Sequence, residues 1–102
     1  MKKIINGKLY DTDKAELLTI WNNGFPYSDL SFVEESLYRT NKGKYFLYCE
    51  GGPNSEYFEW DEGNRRKGET IRPLTSEEAR AWGEKHMTVE SYIKEFGEVD
   101  EA

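Results

Sequence analysis

The stretch SLYRTNKGKYFLYC, residues 36–49, carries the strongest prediction of the fold. Residues 36–40 and 44–49 are rich in the aromatic and apolar side chains that pleated strands favour. The three residues between them end in Gly43, which suits a hairpin loop that contains one left-handed position. We therefore expect two antiparallel strands joined by a tight turn in the middle of the chain.

On the N-terminal side, a second hairpin is predicted. Asn6-Gly7 lies between the apolar pairs Ile4-Ile5 and Leu9-Tyr10. Asn-Gly is the preferred dipeptide for a two-residue turn in which both central residues have positive φ. Residues 11–15 then predict a turn. The stretch that follows, 16–21, favours a strand over a short helix because of its Thr, Ile and Trp, and residues 22–31 predict an exposed loop.

On the C-terminal side of the central hairpin, the prediction is less regular. Gly51-Gly52-Pro53-Asn54-Ser55 breaks the strand, and residues 56–60 are a possible strand of mixed aromatic and acidic character. Residues 61–68, DEGNRRKG, predict a charged loop. Residues 69–72 predict a last short strand that ends at Pro73, because proline lacks a backbone donor.

Two helices are predicted at the C-terminal end. Thr75 and Glu78 have the spacing of a capping box, which predicts a helix over about 76–86. Apolar residues repeat with helical spacing over about 89–96, and Gly97 suits the end of that helix. The fold class is therefore α+β, in a single domain over residues 1–102. An antiparallel sheet of about four to five strands, within residues 2–72, packs one face against the helical pair.

The charge distribution favours some partners over others. Fourteen basic and twenty acidic side chains give a net charge of −6, and residues 50–62 contain five acids and no base. An acidic surface repels phosphate backbones and attracts a basic protein groove. No apolar run has the length of a signal peptide or of a membrane span, and a lone cysteine forms no internal disulfide. We expect a cytoplasmic protein without membrane contact.

The side chains needed for catalysis are scarce. The only cysteine is Cys49, at the end of an apolar strand, and the only histidine is His86, near a helix C-terminus. A buried thiol and a packed imidazole account for both better than a catalytic pair does. The carboxylates have no metal-ligand spacing. We therefore expect no enzymatic activity, no metal and no cofactor.

The candidate binding site is a run of aromatic rings among carboxylates. Such rings are typical anchors of protein interfaces, although strand alternation could equally place some of them in the core. The candidate partner-binding residues are Glu56, Tyr57, Phe58, Glu59, Trp60, Asp61 and Glu62. The alternative site is the basic cluster Arg65, Arg66 and Lys67, which could contact nucleic acid or could be a solvated loop tip.

Three stretches resemble a known family. They are MKKIINGKLYDTDKAE (1–16), LYRTNKGKYFLYCEGGP (37–53), and PLTSEEARAWGEKH (73–86) followed by YIKEFGEV (92–99). These resemble a family of small acidic, mostly uncharacterised proteins from phages and integrative elements of Gram-positive bacteria. Some proteins of this kind look like anti-CRISPR inhibitors, which protect the element from host nucleases. No matching residue carries a known activity, and residues 22–31 and 57–67 lie outside the matching stretches.

The resemblance and the acidic blocks together suggest two functions. The first is an inhibitor whose acidic surface takes the place of DNA in the positively charged channel of a host CRISPR nuclease complex. The second is a nucleic-acid-binding accessory protein of a mobile element, whose affinity would weaken steeply with salt. The charge balance favours the first, and direct nucleic-acid binding is not expected.

Overall fold

The computed structural model describes all 102 residues, from Met1 to Ala102. Eight strands precede two helices along the chain. The strands are β1 Lys2–Ile5, β2 Lys8–Asp11, β3 Glu16–Asn22, β4 Val33–Arg39, β5 Tyr45–Gly51, β6 Glu59–Asp61, β7 Asn64–Arg66 and β8 Gly68–Leu74, and the helices are α1 Ser76–His86 and α2 Val89–Phe96. The predicted α+β class, with strands first and helices last, is confirmed.

Both predicted hairpins form at their turn residues. Gly43 has a φ of +79°, and β4 and β5 pair on either side of it from Arg39–Tyr45 to Val33–Gly51. Asn6 and Gly7 have φ values of 51° and 75°, so both central residues of the β1–β2 turn are left-handed. This is the turn geometry whose twist matches that of the flanking strands.

The main sheet has four antiparallel strands in the order β3-β4-β5-β8, so β3 and β8 are its edges. Strand β8 continues through Pro73 to Leu74, which corrects the prediction that Pro73 ends it. An edge strand tolerates proline because one of its two sides needs no backbone donors. Strand β3 contains an irregularity between Leu17 and Thr19, where its register against β4 shifts.

Residues 56–68 differ most from the prediction. The strand expected over 56–60 begins only at Glu59, and the loop expected over 61–68 is a second small hairpin, formed by β6 and β7. Its turn consists of Glu62 and Gly63, with φ values of 48° and 80°. Glutamate is an uncommon residue in the left-handed region, so the sequence Glu62-Gly63 does not predict a two-residue turn.

The two helices begin and end where their caps predict. Thr75 and Glu78 form a complete capping box at α1, and the Thr88 hydroxyl accepts from the backbone of Ser91 at α2. Gly97, with a φ of 94°, caps the C-terminus of α2 and donates its N–H to Ile93. Neither helix is long and apolar enough to cross a membrane.

The main sheet has two differently covered faces, because alternate residues of a strand point in opposite directions. The face that packs against the helices is called the helix face, and its core consists of Leu37, Leu47, Cys49, Tyr57, Ala79 and Trp82. The opposite face is called the hairpin face because the β1–β2 hairpin covers part of it. A smaller core of Tyr10, Phe46 and Ile71 lies there.

Candidate protein-binding surface

Three carboxylates lie side by side on the hairpin face, at the end of the sheet far from the β4–β5 turn. Glu34 of β4 is the register partner of Glu50 in β5, and Glu50 is the partner of Glu69 in β8. These three residues are called the carboxylate row. Neighbouring strands lie about 4.8 Å apart, and like charges directly opposite each other destabilise a sheet. We therefore expect the row to lower the stability of the isolated protein.

The electrostatics of the row reflect this crowding. Burial raises the pKa of Glu50 above its ordinary value, the carboxylates of Glu34 and Glu69 raise it further, and Lys67 partly offsets them. The Tyr48 hydroxyl donates a hydrogen bond to Glu69. Burial, followed by this bond, raises the pKa of Tyr48. None of the three ion pairs of the molecule includes a member of the row.

Large exposed apolar side chains lie at the same end of the sheet. Phe25, Tyr27 and Leu30 project from the loop before β4, and Trp60, which is 64% exposed, projects from the β6–β7 hairpin. These four residues are called the apolar fringe. The loop is fixed to the sheet end by backbone hydrogen bonds from Asn23 to Val33 and from Gly52 to Phe32. Residues 22–34 and 50–69, which build this end, contain eight acidic and three basic side chains.

Gly68 determines where the β6–β7 hairpin leaves the sheet. A Cβ atom at this position would come within 1.9 Å of the Tyr57 carbonyl oxygen. Because this contact is with backbone, no side-chain movement could relieve it. Gly68 thus allows the turn before β6 to pass directly against the start of β8.

The predicted partner-binding residues do not all lie on the surface. Tyr57 is buried in the core of the helix face, so it is not available as a surface anchor. Its hydroxyl donates to the carboxylate of Glu35 and accepts from Arg72 at 3.0 Å. Burial and the bond to Glu35 raise the pKa of Tyr57. The proposed alternative, that some rings of this stretch fill the core, holds for Tyr57.

The rest of the predicted run stays on the surface, but part of its charge is neutralised locally. Phe58 packs edge-on against Trp60, with ring centroids 5.2 Å apart. The Glu59 carboxylate forms an ion pair of 3.2 Å with Arg66. Glu56, Asp61 and Glu62 are exposed and form no ion pair. Trp60 therefore remains as the exposed ring of this run.

Each member of the basic cluster contacts another side chain of the protein. The Arg65 guanidinium lies 4.3 Å from the centroid of the Phe58 ring, and the Lys67 ammonium lies 3.5 Å from that of Tyr27. Arg66 pairs with Glu59. These contacts occupy the three cations that were the candidate nucleic-acid contacts, although all three remain exposed to solvent.

Cys49 and His86 have environments typical of packed residues. Cys49 is fully buried, and burial raises the pKa of its thiol to about 11, so the nucleophilic thiolate is scarce at neutral pH. The His86 ring lies between Trp21 and Trp82, with centroid distances of 4.3 and 4.9 Å. Burial lowers the pKa of His86, and the Glu35 carboxylate opposes this shift. No group of three or more His, Cys, Asp or Glu side chains is placed to hold a metal ion.

A comparison of the chain with protein-family models, with curated proteins and with solved structures finds no match.

The carboxylate row was not predicted from the sequence, although the pairing of Glu34 with Glu50 follows from the position of the β4–β5 turn. With the β4–β5 turn centred on residues 41–43, Thr40 falls opposite Lys44, and counting outward places Glu34 opposite Glu50. The observed register is the same. Glu69 could not be placed in this way, because sixteen residues lie between the end of β5 and the start of β8 and no turn fixes the register of these two strands.

Proposed function

We propose that this chain is a non-enzymatic protein that binds a basic protein surface through the carboxylate row and the apolar fringe. The alignment of Glu34, Glu50 and Glu69 as cross-strand partners carries the proposal. Three adjacent like charges disfavour the free protein. Lysine or arginine side chains of a partner would relieve that repulsion and make binding favourable.

The apolar fringe supports a protein partner over a small ligand. Large side chains surrounded by polar groups are the usual anchors of protein interfaces. Trp60 and Tyr27 combine a broad apolar surface with a polar tip, and both are more than half exposed. A partner that covers them would gain hydrophobic contact beside the charged row.

We infer further that the partner is a host CRISPR nuclease complex. The support is the resemblance to proteins of Gram-positive mobile elements, together with the alignment of the row. The row places three carboxylates on three neighbouring strands, which lie about 4.8 Å apart. A channel that holds nucleic acid by its backbone could accept such a row.

The alternative, a nucleic-acid-binding accessory protein, has less support. Arg65, Arg66 and Lys67 each contact a ring or a carboxylate of the protein itself. The carboxylate row and the net charge of −6 would repel a phosphate backbone. A gel shift at low salt that weakens steeply as salt is added would favour this alternative instead.

A plasmid-interference assay in a Gram-positive host with an active CRISPR nuclease tests the proposal. The wild-type chain should protect the plasmid, whereas the variant Glu34→Gln/Glu50→Gln/Glu69→Gln should lose protection. The matched control Glu84→Gln/Glu90→Gln/Glu98→Gln removes three exposed carboxylates elsewhere and should protect like wild type. The purified nuclease complex should bind the row variant at least about tenfold more weakly.

Two outcomes would contradict the proposal at different levels. If the wild-type chain neither protects the plasmid nor binds the nuclease complex, the partner is not that complex. If a partner is captured and the row variant and its matched control bind it equally well, the carboxylate row is not the binding surface.

A further inference from the structure

A cavity of about 540 Å³ lies near the other end of the hairpin face, between the β1–β2 hairpin and the β4–β5 turn. Four lysines, Lys8, Lys14, Lys42 and Lys44, contribute to its wall. Thr40, just past the end of β4 at this end of the sheet, lies six residue steps from Glu34, which corresponds to about 20 Å. The Debye length at physiological salt is about 8 Å, so the cavity is electrostatically independent of the carboxylate row.

None of the four lysines is neutralised by the protein. The three ion pairs of the molecule involve only Arg39 and Arg66 as cations, and no lysine of the cavity donates a side-chain hydrogen bond. By contrast, the arginines at 39, 65, 66 and 72 all contact another side chain. The cavity thus gathers cations that have no partner in an otherwise acidic protein.

Asp11, in the wall of the same cavity, has an unsatisfied oxygen. The residue is 5% exposed, and its Oδ1 accepts a hydrogen bond of 2.9 Å from the backbone of Asp13. Its Oδ2 is buried and has no hydrogen-bond partner. A buried acceptor without a donor costs about 1–3 kcal/mol. Asp11 thus contributes a buried hydrogen-bond acceptor to the wall of a cavity that four lysines also line.

We propose that this cavity binds a small phosphorylated molecule of about the size of a nucleoside monophosphate. Its phosphate contacts the lysines, since ammonium groups form charge-assisted hydrogen bonds with phosphate oxygens. An amino or hydroxyl group of the ligand donates to Asp11 Oδ2, after a rotation of the Asp11 side chain. The volume lies within the ~300–1,000 Å³ range of small-molecule sites, and Leu9, Tyr10 and Ala15 supply apolar wall for a ring.

A small ligand fits this site better than a polynucleotide does. A long phosphate backbone would extend past the cavity to the acidic remainder of a protein whose net charge is −6. A mononucleotide would contact only the four lysines of the cavity and would not extend to the acidic surface. The site is separate from the proposed protein-binding surface and does not depend on its function.

Two-dimensional amide NMR of the full chain tests the proposal with four probes, which are adenosine monophosphate, adenosine, inorganic phosphate and a short single-stranded oligonucleotide. Adenosine monophosphate should cause saturable shifts at residues 7–15 and 40–44. Phosphate or adenosine alone should bind more weakly, because each supplies only part of the contacts. Lys42→Gln/Lys44→Gln should weaken binding of adenosine monophosphate by about tenfold or more.

The control Lys85→Gln/Lys94→Gln removes two exposed lysines from the helices and should bind like wild type. Asp11→Asn should weaken binding of adenosine monophosphate but not of inorganic phosphate, and its amide spectrum reports whether the fold is kept. The proposal is overturned if adenosine monophosphate causes no saturable shift, if the control variant loses binding equally, or if phosphate alone binds as tightly. Preferential binding of the oligonucleotide would also overturn it.

Discussion

Glu34 and Glu35 are neighbours in one strand, yet the two faces of the sheet treat their carboxylates differently. On the helix face, Glu35 is buried and accepts hydrogen bonds from the Trp82 indole at 2.8 Å and from the Tyr57 hydroxyl. On the hairpin face, Glu34 lies opposite Glu50 with no ion-pair partner. One carboxylate has the donors it needs, and the other has a like charge beside it.

The same contrast holds elsewhere on the two faces. Glu95 of α2 accepts hydrogen bonds from Arg39 and from the Tyr45 hydroxyl, and these contacts tie the helix to the sheet. Burial, followed by the bond to Glu95, raises the pKa of Tyr45 to about 12. On the hairpin face, the row carboxylates and the cavity lysines form no ion pair. We expect the polar groups of the helix face to contribute more to stability than the carboxylate row and the cavity lysines do.

The largest expected effect is at Glu35. Its replacement by alanine removes the acceptor for the Trp82 and Tyr57 donors and leaves both buried groups unsatisfied. We expect Glu35→Ala to lower the free energy of unfolding by about 2–4 kcal/mol, measured by urea denaturation. Glu34→Ala, one residue away on the other face, should cause no loss. Equal destabilisation by the two variants would break the contrast between the faces.

The next effect is at Glu95. Its side chain is 9% exposed and lies beside Arg39, which is more open to solvent and keeps Glu16 as a second partner. Because of this partial exposure, we expect Glu95→Ala to lower the free energy of unfolding by about 1–2 kcal/mol, less than for a fully buried pair. Glu90→Ala, at an exposed position of the same helix, should change it by less than about 0.5 kcal/mol.

Replacement of Glu50 should raise the free energy of unfolding, whereas replacement of Glu35 or Glu95 lowers it. Its pKa is raised in the folded protein, so the folded protein binds more protons than the unfolded chain in the window above the ordinary glutamate pKa of about 4.3. Stability therefore falls as pH rises through that window, and the deficit persists at neutral pH. We expect Glu50→Gln to raise the free energy of unfolding at pH 7 by about 0.5–1 kcal/mol.

The gain from Glu50→Gln should disappear below about pH 4, where the wild-type carboxyl is protonated in both states. Urea denaturation of wild type and Glu50→Gln at pH 7 and at pH 3.5 shows whether the gain depends on the ionised carboxylate. A variant that is less stable than wild type at neutral pH would show that the carboxylate row stabilises the sheet, contrary to the argument from repulsion.

The smallest effect concerns His86. Because burial lowers its pKa in the folded protein, the unfolded chain binds more protons between that value and about 6.5. The contribution of neutral His86 is complete above about pH 6.5 and is lost as pH falls below it. We expect the free energy of unfolding to fall by less than about 1 kcal/mol as pH is lowered through this window. Urea denaturation monitored by tryptophan fluorescence at pH 5–8 measures this loss. His86→Gln should lack this component, and an unchanged pH dependence in that variant would exclude His86 as its source.

Features of this fold that depend on residues close together in the sequence are predicted well, and features that depend on distant residues are not. The Asn6-Gly7 turn, the loop that ends in Gly43 and the Thr75–Glu78 capping box depend on neighbouring residues, and all three form as expected. The β6–β7 hairpin was missed because its turn places Glu62 in an unusual conformation. The burial of Tyr57 depends on packing against distant residues of the sheet and of α1, which local patterns do not encode.

The candidate surface was predicted in part. The acidic character of residues 50–62 pointed to this end of the molecule, but the alignment of the row depends on which strands become neighbours. The partners that occupy Arg65 and Lys67, the rings of Phe58 and Tyr27, are likewise set by tertiary structure. The cavity combines residues 7–15 with residues 40–44, and no periodicity in the sequence relates these two segments.

The two edges of the main sheet have unequal capacity to recruit further strands. Along β8, Pro73 removes a backbone donor and the Lys3 ammonium reaches the Thr70 hydroxyl at 3.3 Å. Along β3, neither proline nor lysine is present, and Leu17 and Ile20 are about half exposed. Strand pairing between the main sheets of two copies would then use β3 rather than β8. Such a pair would occupy the β3 edge of both copies and leave only their β8 edges, which disfavour the addition of a third main sheet.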